Sequence, residues 1–149
     1  MNSPLANLEP KLLWSHFDAI RRTPRPSKQE EKIIALLKAW AEENGFDVRQ
    51  DAAGTLAIKV PATPGHESSP TVILQNHMDM VCEKNADVDH DFLTEGIKVR
   101  VDGDWVAAEG TTLGADKASA SRQLWRSPRI RRSCTVLSRS CARWTKRPV

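Results

Sequence analysis

The chain has 149 residues, the size of one modest domain or of a part of a larger one. It holds no apolar run near the roughly 18–20 residues of a membrane span and no basic-then-apolar secretory pattern at its start, so the reading is a soluble, cytoplasmic protein. Its charge is divided: residues 1–116 carry 12 Lys+Arg against 19 Asp+Glu, a net −7, whereas 117–149 carry 10 Lys+Arg and no acid, a net +10.

Three cysteines, Cys82, Cys134 and Cys141, stand at unrelated spacings, which supports neither a disulfide framework nor a cysteine zinc site. Tyr is absent and aromatics are sparse, against a base-stacking nucleic-acid module.

Pro10 suits the first turn of a helix in which Leu13, Phe17 and Ile20 share one face. Thr23-Pro-Arg-Pro26 then forces an extended connection. Ser27 with Glu30 has the form of a capping box for a helix over 28–43, whose apolar stripe is Ile33, Leu36, Leu37 and Trp40. Asn44-Gly45 ends it. Phe46 and Val48, then Leu56, Ile58 and Val60, alternate as strands about a turn at 51–54, and 61–70 reads as a loop. Thr71-Val-Ile-Leu74 is a continuous apolar run, as in a strand buried on both faces. Ile97, Val99 and Val101 alternate again, and Asp102-Gly103 turns the chain into Trp105-Val106. The class is α/β, with the 28–43 helix expected on a sheet that includes 55–60 and 71–76, and Ile33, Leu37, Val72 and Leu74 in the core.

Chemistry gathers just past that buried run. His77 and Asp79 are two apart, and on an extended segment such residues share a side. A neutral imidazole is a good zinc ligand, and a carboxylate behind it fixes the ring. Asp116 closes a second segment, Gly110-Thr-Thr-Leu-Gly-Ala-Asp116, whose glycines allow a close approach. By contrast His16, His66 and His90 read as surface or loop residues, Met78 and Met80 as packing, and Asp87–Asp91 as a solvated loop.

Five strings occur in order: Pro26-Ser-Lys-Gln-Glu-Glu31, Asn44-Gly-Phe, Asp51-Ala-Ala-Gly-Thr-Leu, Leu74-Gln-Asn-His-Met-Asp-Met-Val81 and Gly110-Thr-Thr-Leu-Gly-Ala-Asp116. Across about residues 8–116 the chain resembles the aminoacyl-histidine dipeptidases, also called cytosol non-specific dipeptidases or peptidase D, of the di-zinc exopeptidase clan. The resemblance implies that 1–116 is the N-terminal part of a metallopeptidase catalytic domain, with helices on a mixed sheet. It implies two Zn²⁺ ions, which other divalent ions could replace, and a dipeptide substrate. His77 matches the first zinc ligand, Asp79 the carboxylate that orients the catalytic machinery, and Asp116 the aspartate that bridges the metals. The family's general-base Glu, its neighbouring Glu ligand, a further Asp and a distant His have no match here. A homodimer is possible for the complete family protein.

In the family, Gly-Ala-Asp continues with Asn-Gly and a Gly/Ala-rich helix; here Lys117-Ala-Ser-Ala-Ser-Arg122 follows. Restoring one base in the Lys117 codon, with GC-rich codons throughout, permits a family-like continuation that ends in Asp-Glu-Glu-Thr-Gly. Residues 117–149 therefore read as an out-of-frame, disordered basic tail, and the 149-residue chain as a truncated, inactive form. The competing reading is a non-catalytic protein whose basic arm neutralises nucleic-acid phosphates; the tail's lack of designed periodicity weighs against it.

Overall fold

The computed structural model describes residues 3–115 and, by its backbone, a strand at 133–138. Helix α1 (Lys11–Arg22) starts after Pro10 and buries Phe17, with Leu13 and Ile20 half-buried beside it, as the i, i+4, i+7 spacing requires. Helix α2 (Glu31–Glu43) buries Ile33, Ile34, Leu37 and Ala41. Its end is a complete Schellman motif. Gly45, at φ +70°, donates its N–H to Glu42 O, and Phe46 donates to Ala41 O.

Strands β1 (Asp47–Gln50) and β2 (Leu56–Val60) pair antiparallel across a turn that Asp51 holds by accepting the Thr55 N–H. Strand β3 is Val72–His77, β4 is Val99–Asp102, β5 is Trp105–Ala108 and β6 is Ser133–Ser138. One sheet has the order β1-β2-β6-β3, with β6 antiparallel to β2 and parallel to β3; β4 and β5 form a separate hairpin. The sheet is mixed and the class is α/β, as the sequence implied.

Two cores result. In the first, α2 lies on the four-stranded sheet through Ile33, Ile34, Leu37, Ala41, Leu56, Ile58 and Met78. In the second, α1 closes over the β4–β5 hairpin through Leu5, Phe17, Met80, Ile97 and Val99. Met78 falls in one and Met80 in the other, so the segment 78–80 sits where the two cores meet. Both methionines pack, as expected.

Two expectations are corrected here. Val72 and Ile73 are 48% and 65% exposed and Leu74 is only half-buried, because β3 is the last strand of its sheet and not an interior one. The strands 55–60 and 71–76 share a sheet, as expected, with β6 between them. Ser133–Ser138 is thus a strand where disorder was expected, because a six-residue uncharged stretch with β-branched Thr135 and Val136 can satisfy the backbone groups of two strand edges at once. The rest of the basic tail lies outside the described residues.

Candidate metal centre

The last residue of β3 delivers His77, and the chain stays extended through Asp79. The imidazole Nδ1 lies 2.6 Å from Asp79 Oδ1. With the carboxylate accepting, Nδ1 carries the hydrogen and Nε2 the lone pair, which fixes both tautomer and ring orientation. Asp79 is buried, and its second oxygen Oδ2 accepts a hydrogen bond from the Ser27 hydroxyl. His77 and Asp79 are thus brought together as the i, i+2 argument required.

Ser27 does not do what its pattern suggested. Its hydroxyl is given to Asp79, and α2 begins at Glu31 with no side-chain bond from Glu30 to its first turn. Glu30, completely buried, accepts the Lys28 N–H at 2.7 Å instead, and Lys28 itself stands at φ +73°. A local motif lost to a long-range partner, since a buried carboxylate needs donors more than a partly solvated helix end does.

A second segment runs back toward the same place. Residues 80–85 and 110–114 lie side by side: Asn85 donates its N–H to Gly110 O at 2.9 Å, Thr112 donates its N–H to Glu83 O at 2.9 Å, and the Thr112 hydroxyl donates to Val81 O at 2.7 Å. Leu113 and Ala115 pack against the core that holds Met80. Ala115 directly precedes Asp116, which itself lies outside the described residues. The structure therefore joins His77 to Asp79 and brings the two motif-bearing segments together as far as Ala115.

Arg25 spans the two segments. It is 4% exposed, donates from Nη2 to Gly114 O at 2.9 Å and from Nη1 to Met78 O at 3.4 Å, and its own carbonyl accepts the Met80 N–H at 3.0 Å. Sequence reasoning took Arg25 only as part of an extended connector. The signal available was the flanking pair Pro24 and Pro26, which holds the backbone extended and commits the arginine to one direction.

The remaining candidates are structural. His66, Asp87, Asp89 and Asp91 are exposed, as expected of loops. His16 is half-buried edge-on to Trp40, and burial lowers its pKa. His90 lies in a loop, as expected, but not on the surface: it is buried, packed edge-on to Phe92, with Nδ1 3.2 Å from Glu95. Burial raises the pKa of the half-buried Cys82 thiol, with the Arg25 charge opposing. Among the described residues no group of three or more His, Cys, Asp or Glu side chains is arranged to hold a metal, and no helix is long and apolar enough to cross a membrane.

The arrangement of helices, sheet and crossing segments is that of the α/β domain of peptidases. The structure superposes on an aminoacylhistidine dipeptidase from Vibrio alginolyticus with a TM-score of 0.84 at 44% identity, covering 93% of this chain and 29% of that one. A tripeptidase from Staphylococcus aureus shares the fold at TM-score 0.67 and 20% identity, over 85% of this chain and 35% of its own. In sequence, 114 residues are 46% identical to the cytosol non-specific dipeptidase of Escherichia coli K12, 76% of this chain and 24% of that protein. No family profile matches. The matched residues are identified with the N-terminal part of the aminoacyl-histidine, or cytosol non-specific, dipeptidase family; the chain spans about a quarter of the length of the curated relative.

Proposed function

We propose that residues 1–116 are the N-terminal, metal-binding part of the catalytic domain of a cytoplasmic dipeptidase that hydrolyses Xaa-His and other dipeptides, with Zn²⁺ as its metal. The observation that carries this reading is the file Ser27–Asp79–His77, set beside a segment that ends one residue before Asp116. The donor set fits a zinc ion. A histidine whose Nδ1 hydrogen is held by a buried carboxylate presents its other nitrogen as a ligand, and an aspartate at 116 would supply an anionic partner. When bound, a zinc pair polarises a peptide carbonyl and lowers the pKa of water. The chain's own share is to hold the ring of His77 in one tautomer and orientation, with Asp79 fixed in turn by Ser27.

The 149-residue chain by itself is proposed to be inactive. Hydrolysis needs a base to deprotonate water as well as an open metal position. Asp79 is committed to His77, so it cannot serve as that base. The purified chain, assayed with excess Zn²⁺ on an Xaa-His dipeptide, should match background. A version with one base restored in the Lys117 codon should give chelator-sensitive hydrolysis that His77→Ala removes. Robust hydrolysis by the unrepaired chain would overturn the inactivity, and an inert repaired chain would overturn the dipeptidase reading.

A further inference from the structure

Glu30 is completely buried, yet the proposed chemistry does not use it. Its backbone leads into α2, where Ile34 donates its N–H to Glu30 O at 2.9 Å. Its side chain reaches back, and Oε1 accepts the Lys28 N–H at 2.7 Å. That N–H belongs to the middle peptide of a turn. Gln29 donates its N–H to Pro26 O at 3.0 Å, and of the two central residues only Lys28 has a positive φ, +73°. Those features define a type II turn, whose third residue is ordinarily glycine. The front of the turn is fixed as well: Met80 donates its N–H to Arg25 O at 3.0 Å, and Pro26 bridges to Met80. Ser27, the other central residue, gives its hydroxyl to Asp79, which in turn holds Nδ1 of His77.

We infer that Glu30 is a positioning residue: by holding the Lys28 N–H it keeps the 26–29 turn in its type II form, and so sets the ring of His77 through Ser27 and Asp79. A type I turn differs from type II by a reversal of the middle peptide, which turns over ψ of the second residue and returns φ of the third to negative values. For a lysine that reversal is downhill, because positive φ brings Cβ against its own backbone. The Glu30 carboxylate opposes it, since a buried anion that loses a donor is left with an uncompensated desolvation cost. Ser27 registers the reversal directly. The rotamers open to a side chain depend on its φ and ψ, so a change of ψ at Ser27 takes the hydroxyl off Asp79.

The role assigned to Glu30 rests on the reading of His77 as a residue held in one tautomer, and the readout is therefore taken without metal or substrate. The isotope-labelled 149-residue chain is studied by NMR at about pH 8.5, above the ordinary imidazole pKa of about 6.5. His77 is identified by the signal that His77→Gln removes. Wild type should show the Nδ1–H tautomer, with its ring proton shifted far downfield by the carboxylate of Asp79. Glu30→Met should lose that proton to exchange and give mixed tautomers, with helical circular dichroism retained. Adding Lys28→Gly should restore the wild-type signal, since glycine holds a positive φ without help from the carboxylate. Lys28→Val should reproduce the effect of Glu30→Met with Glu30 still in place, because a β-branched residue fits poorly at positive φ. A folded Glu30→Met chain with an unchanged His77 signal overturns the role, and so does a double variant in which Lys28→Gly fails to restore it. If Glu30→Met does not fold, Lys28→Val decides: a folded chain with the altered signal supports the role, and an unaltered signal or an unfolded chain overturns it. A wild-type His77 in the Nε2–H form would also overturn it, and would leave hydrolysis by the repaired chain to decide the dipeptidase reading. Conversely, an inert repaired chain beside the expected His77 spectra would sink the dipeptidase reading and leave the role of Glu30 supported.

Discussion

Asp79 uses both carboxylate oxygens, one on His77 and one on Ser27, and this double engagement gives the residue its measurable signature. Asp79→Asn keeps the shape but offers a neutral, weaker acceptor to the imidazole. It should weaken Zn²⁺ binding about 10- to 100-fold with a much smaller change in Tm, and equal affinity in chelator competition would refute the role. The His77–Asp79 pair was legible because period-2 geometry is local. Ser27 was not: Ser-x-x-Glu describes a cap equally well, and only the fold reveals a buried acid 52 positions away as the competitor. Asp18 offers a pH test at the same scale. Burial pushes its pKa up, but hydrogen bonds from Ser3 and Arg21 and the charges of Arg21 and Arg22 outweigh that, and the net direction is down. Because the folded pKa is depressed, the stabilisation is present above the ordinary carboxylate pKa of about 3.9 and is lost as pH falls through the lower folded value. Asp18→Asn should therefore lower Tm at pH 7, and the gap to wild type should narrow below about pH 4. A gap that stays constant with pH would contradict the assignment.

Helix α2 was the most readable element, and its C-terminal motif shows why. The stripe and the Asn44-Gly45 stop both arise from interactions within a few residues. A Cβ at position 45 would meet nothing within 4 Å, so Gly45→Ala isolates backbone strain and should cost roughly 1–2 kcal/mol in chemical denaturation. Strand β3 was readable as a strand but not in its surroundings. Val72-Ile-Leu74 is as apolar as a central strand, and nothing local distinguishes the middle of a sheet from its end. Strand β6 was not readable at all, because its partners are set by the free edges of β2 and β3 and not by any pattern of its own. Its backbone register gives a direct check. Val136 stands opposite Ala57 on one side and Gln75 on the other, and a proline there removes a donor from the middle of the ladder and should cost on the order of 1–3 kcal/mol, the scale for a hydrogen-bond partner left unsatisfied. Unchanged unfolding of Val136→Pro would show that the tail contributes no strand.

Among the described residues the sheet order ends at β3, and the sequence Val72-Ile-Leu-Gln-Asn-His77 brings no Lys, Arg, Asp or Glu to that edge. Natural edge strands are usually blunted by charge, proline or a bulge, because an apolar edge invites pairing with another chain. Val72 and Ile73 project from opposite faces at its start, and both are exposed. Ile73, at 65% exposure and in neither core, contributes little to folding and much to any sticky surface. Its replacement by a charge therefore separates stability from association. Ile73→Lys should change the free energy of unfolding by no more than about 0.5 kcal/mol, as for other surface sites. In sedimentation velocity across a range of concentrations, wild type should associate as concentration rises and Ile73→Lys should stay monomeric further up the series. A wild-type chain that remains a single monomeric species throughout, or an Ile73→Lys chain that associates equally, would show that the β3 edge is covered in solution.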